Sequence, residues 1–101
     1  MPKFGVRVPH TLSKDEARSR LERFVDMVQA KFANQVSDLQ QSWDGDTLKF
    51  HFKTYGIPLD GGITVAENEL NMAGDLPFAA MMFKGKIESE IREQLEKIVA
   101  A

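Results

Sequence analysis

The feature that most limits what this chain can fold into is a change of apolar period, from helical to alternating and back again. Ala17, Leu21, Phe24, Val25, Val28 and Phe32 recur at the three- and four-residue spacing of one helical stripe. Beyond them Leu48, Phe50 and Phe52 alternate with Lys49, His51 and Lys53, the pattern of a strand with one buried face. Helical spacing returns in Ile87, Ile91, Leu95, Ile98 and Val99. Two amphipathic helices must therefore flank a run of strands that is apolar on one side.

The weaker signals complete the order. Phe4, Val6 and Val8 alternate with Gly5, Arg7 and Pro9, which predicts a first strand. Ser13-Lys14-Asp15-Glu16 reads as a capping box, the serine accepting from the amide of Glu16 while the Glu16 side chain reaches back. A polar strand is expected around Val36–Trp43, and Asp44-Gly45-Asp46 makes a hairpin turn because glycine takes positive φ cheaply. A break at Gly56-Ile57-Pro58 precedes a strand over Gly62–Glu67, where Ile63 and Val65 share a face. Asn68 marks another turn, and Leu70 and Met72 alternate in a last strand. Leu76-Pro77 is expected to open the final helix, with proline in the first turn, where it lacks no needed donor.

The predicted order is β-α-β-β-β-β-α in a single α+β domain over residues 1–101. Hairpin-connected strands imply an antiparallel sheet, and the two amphipathic helices are available to cover its apolar face. The expected picture is a reduced helix-grip-like arrangement. In it the C-terminal helix lies across the sheet and the first helix packs beside it or caps one end.

Composition removes several classes of function. A net charge of −2 without a basic cluster argues against nucleic acid. The absence of cysteine excludes disulfides, thiol nucleophiles and thiolate metal sites. No apolar run approaches the roughly 20 residues of a membrane span, and the first residues lack the apolar core of a secretory signal. A cytoplasmic location is the expectation.

Chemistry is hard to find. His10 is expected in a loop and His51 on a solvated strand face between Lys49 and Lys53, with no carboxylate placed by spacing to orient it. The ligand spacings of a metal site are missing, and Asp44-Gly45-Asp46 lacks the other acidic positions of a calcium loop. Asp60, Glu67 and Glu69 stand near strand ends, where carboxylates are commonplace. Gly61-Gly62 lacks the lysine and following helix of a phosphate loop. No catalytic residue, cofactor or metal is assigned.

Leu76–Phe83 is apolar at every position. In a continuous α-helix Ala80 and Phe83 would fall on or beside the buried stripe, and Phe78 and Met82 on the opposite face. Such a turn needs a second cover, from the first helix or from a partner. Lys84 would intrude on the stripe of a continuous helix, and Gly85 could break it. Phe78, Met81, Met82 and Phe83 form the candidate contact surface, and methionine suits one because it adapts to varied partners.

The chain resembles the polyhydroxyalkanoic acid system family, small proteins associated with genes of polyester storage-granule metabolism. The resemblance is carried by Val8-Pro9-His10-Thr11-Leu12 with Glu16-Ala17-Arg18, and by Trp43-Asp44-Gly45-Asp46-Thr47-Leu48-Lys49-Phe50. Gly62-Ile63-Thr64-Val65 follows, then Phe83-Lys84-Gly85-Lys86-Ile87-Glu88 leading to Ile91 and Leu95. The apolar stretch from Phe78 to Phe83 departs from that pattern. The resemblance implies a bacterial cytoplasmic protein near polyester granules and brings no catalytic motif.

The leading expectation is a non-enzymatic accessory or binding protein of polyhydroxyalkanoate metabolism that contacts a granule surface or a granule-associated protein. Two rivals stand beside it. One is a helix-grip-type binder of a small apolar ligand between sheet and long helix, and the other is a homodimeric module pairing through an open sheet edge.

Overall fold

The computed structural model describes residues 3–31, 34, 36–54 and 57–100. Strand β1 (Lys3–Pro9) leads to helix α1 (Lys14–Lys31), then β2 (Val36–Asp44), β3 (Thr47–Thr54), β4 (Ile57–Val65) and β5 (Glu69–Asp75). A short 3-10 turn (Phe78–Phe83) joins β5 to helix α2 (Lys84–Val99). The fold is α+β, with one five-stranded sheet ordered β1-β5-β4-β3-β2 and antiparallel throughout. The first two strands stand at opposite edges, so α1 carries the chain across the sheet. Phe32 of the expected helical stripe and Gly56 of the expected break lie outside the described residues.

Alternation decides the faces. Phe4, Val6 and Val8 of β1 meet Leu70 and Met72 of β5, Ile63 and Val65 of β4 and Leu48 of β3 in one buried cluster. Ala17 and Leu21 of α1 and Leu95, Ile98 and Val99 of α2 join it, so both helices cover the same face. Two glycines make room within that layer. Gly61 and Gly74 are cross-strand partners, and a Cβ on Gly61 would stand 2.6 Å from the Ala73 carbonyl. One on Gly74 would collide with the Phe4 ring and the Asp60 carbonyl.

Helix α1 starts as its sequence asks, with the Glu16 amide donating to Ser13 Oγ at 3.1 Å. The other half of the box differs: Glu16 pairs with Arg20 at 3.0 Å and Arg23 at 3.7 Å. The same end is pinned to the β2–β3 turn. Lys14 reaches Asp46 at 2.6 Å, and this hydrogen bond and charge raise the lysine pKa above its ordinary value. Arg18 donates to the Gly45 carbonyl at 3.1 Å and lies 4.0 Å from the centre of the Trp43 ring. Gly45 itself takes φ +63°, at the first central position of a two-residue hairpin.

Helix α2 runs beside β1. Gly5 donates its amide to Glu88 Oε2 at 3.0 Å, and Arg92 donates to the Arg7 carbonyl at 3.0 Å. At the far end Arg20 donates to the carbonyls of Ile98 at 3.3 Å and Ala100 at 2.6 Å. The start of α1 thus lies beside the end of α2. This arrangement does not establish the helix-grip comparison.

Three local expectations change. The final helix does not begin at Leu76-Pro77, because the first six residues after Pro77 wind as a 3-10 turn and α2 starts at Lys84. Gly85 therefore sits inside α2 and does not break it. Ile57 and Pro58 are not a break but the first residues of β4, opposite Thr54 and Lys53.

Candidate functional site

The apolar segment after β5 is held at two points. Leu76 and Ala80 are fully buried, and Pro77 precedes the turn in extended geometry, with its carbonyl accepting from the Ala80 amide at 2.9 Å. A 3-10 helix repeats every three residues, so a single short turn buries one narrow face. Ala80 fills that face. Phe78 and Met82 are 79% and 82% exposed, and Met81 and Phe83 are 41% and 51% exposed. Phe83, expected on or beside the buried stripe, is half exposed, at the junction where the 3-10 turn gives way to α2. The same junction resolves Lys84, which begins a new helix and does not interrupt an old one.

A second apolar feature lies between the helices and the sheet. Helix α1 is tied down at its N-terminal end, and its C-terminal half stands off from the β2–β3 hairpin. The opening is a cleft of about 260 Å³. Phe24, Val25 and Val28 line it from α1, Phe50 and Phe52 from β3, and Glu90, Ile91, Gln94 and Leu95 from α2. The five from α1 and β3 are only half-buried, although their spacing marks them as core residues. The two phenylalanine rings lie 5.8 Å apart, tilted against each other. The sequence did not show this cleft. Period tells which side chains face inward, but not how far apart the layers stand.

His10 lies in the loop between β1 and α1, as expected, but it is 7% exposed, against the turn between β4 and β5. Its Nδ1 accepts from the Leu12 amide at 3.1 Å, so Nε2 carries the proton and donates to the Ala66 carbonyl at 3.0 Å. His51 does have an orienting carboxylate. Asp60 is its cross-strand partner in the β3–β4 register and contacts its Nδ1. Sequence spacing concealed that pair, because it exists only once the register is set.

His51 and Asp60 lie on the polar face of the sheet, away from the helices. Lys3–Asp75 at 3.3 Å, Arg7–Glu69 at 3.0 Å and Lys49–Asp44 at 3.1 Å occupy the same face. Among the described residues, no hydroxyl hydrogen-bonds the other ring nitrogen of His51. Nor do those residues hold a group of three or more histidine or acidic side chains placed to bind a metal ion. None of the described helices is long and apolar enough to cross a membrane.

No curated protein matches the chain. A family model does, over residues 5–99, which takes in every described strand and helix except the first two residues of β1. The chain belongs to the family described as "Putative polyhydroxyalkanoic acid system protein" and is thereby associated with polyhydroxyalkanoate metabolism.

Proposed function

We propose that this chain is a non-enzymatic accessory protein of polyhydroxyalkanoate metabolism that docks on the apolar surface of the storage granule through Phe78, Met81, Met82 and Phe83. The observation that carries the reading is the exposure of four large apolar side chains in six consecutive residues. Scattered single apolar residues are normal on a surface, whereas a contiguous cluster marks a contact site. The family supplies the setting, a system that handles an apolar polyester. His10 is committed to two backbone bonds, and among the described residues His51 pairs with Asp60 without a hydroxyl on its other ring nitrogen, which fits a role without catalysis.

Burying Phe78 and Met82 against a partner is worth about 1.5–3 kcal/mol each. Association itself costs an estimated 4–15 kcal/mol, so two side chains do not hold one molecule alone. Met81 and Phe83 add area, and many copies on one extended surface gain by avidity.

The test is cosedimentation of wild type and a Phe78→Ser/Met82→Ser variant with protein-free polyhydroxyalkanoate particles. The variant is expected to keep its unfolding midpoint, since both side chains already face water, and to lose most of its binding. A wild type that ignores bare particles but sediments with native granules would make a granule-associated protein the partner and overturn direct docking. A variant that unfolds much more easily would show that the side chains belong to the core.

A further inference from the structure

We propose that the cleft between the C-terminal half of α1 and the β2–β3 hairpin is a binding site for the aliphatic part of an uncharged molecule, an ester or alcohol. The inference is independent of the Phe78–Met82 patch and rests on the size, lining and charge of the cleft.

Size comes first. The cleft, open to solvent on one side, is about 260 Å³. An apolar cavity of roughly 150 Å³ stays dry and accommodates benzene, so the cleft has room for on the order of ten non-hydrogen atoms. A helix from a partner, about 10 Å across, does not fit. Lining comes second. Phe24, Val25, Val28, Phe50 and Phe52 offer water no hydrogen bond, which leaves an apolar chain as the favoured occupant.

Charge chooses among apolar chains. Among the described residues the lining includes no lysine, arginine or histidine, and its one ionisable side chain is Glu90. A fatty-acid anion would bring a carboxylate to a place without a counter-ion and beside a like charge. Gln41 and Gln94 are the remaining polar side chains of the lining, and their amides can donate to a carbonyl or hydroxyl. The arrangement therefore selects a neutral head group over an ionised one.

The experiment is a methyl NMR titration of the full chain at neutral pH with two probes of matched length, methyl octanoate and octanoate. The ester is expected to shift the signals of Val25, Val28, Leu48 and Leu95 saturably. Octanoate should bind several-fold more weakly, because its carboxylate would lie beside the like charge of Glu90 without a counter-ion. Glu90→Lys, an exposed change that does not threaten folding, should narrow that gap by strengthening octanoate binding. Val28→Phe should fill the cleft and abolish ester binding with the melting midpoint retained.

Absence of saturable shifts with the ester would overturn the proposal, as would octanoate binding as tightly as the ester. So would signals that move with protein concentration and return on Phe78→Ser, because the cleft would then hold a side chain of a second copy. The Phe78→Ser/Met82→Ser variant should bind methyl octanoate as wild type does, which separates failure of this site from failure of the granule contact.

Discussion

His10 and His51 look alike in the sequence, each a lone imidazole beside a strand residue, yet they sit in opposite environments. His10 satisfies one backbone donor and one backbone acceptor that would otherwise be left at a buried junction. His10→Ala should therefore cost about 1–3 kcal/mol, the penalty for stranding such groups. His51 hydrogen-bonds Asp60 on a wet face, where removing a partner typically costs less than about 1 kcal/mol. Denaturant titration of the two alanine variants checks the contrast. Equal, small losses would mean that water replaces the imidazole at the His10 site. Neither environment is written in the local sequence, because the partners Ala66 and Asp60 lie 56 and 9 residues away.

Elements were far more legible than the spaces between them. Every predicted strand and helix is present in the predicted order, because period-2 and helical stripes are properties of a segment and its own neighbours. The cap of α1 was legible for the same reason. Ser13→Ala should lower stability by about 1 kcal/mol, the usual cost of losing an N-cap hydrogen bond. An unfolding midpoint unchanged within error would place the effective start of α1 elsewhere, for instance at Thr11. The segment from Phe78 to Phe83 was legible as unusual but not as a 3-10 turn. Its apolar run fits any helical winding, and the choice is made by Leu76 and Ala80 being held in the core. The cleft was illegible because it depends on where α1 is tied. Lys14, Arg18 and Arg20 fix its first turns, and the side chains further along stand away from the hairpin.

At the scale of the whole molecule the two sheet edges are treated unequally, and this bears on self-association. A bare edge strand offers unpaired amides and carbonyls to another chain. At β1 the Gly5 amide and the Arg7 carbonyl are already taken by Glu88 and Arg92 of α2. At β2 the register is interrupted between Ser37 and Gln40, with Asp38 at φ 56°, a kink that disfavours a second strand running alongside. Homodimerisation through an open edge therefore meets an obstacle at both sides, and the β1 obstacle is made of two removable side chains. Glu88→Ala/Arg92→Ala should cost about 1–3 kcal/mol, because both bonds are charge-assisted but exposed. Its larger effect should be on assembly: sedimentation velocity over rising concentration is expected to shift to faster species for the variant and much less for wild type. A variant that sediments like wild type throughout would show that Glu88 and Arg92 merely decorate the edge. A wild type that already dimerises would place the pairing surface at β2 or at the Phe78–Phe83 patch. Adding Phe78→Ser/Met82→Ser would then tell these apart, since only a patch-mediated dimer should dissociate.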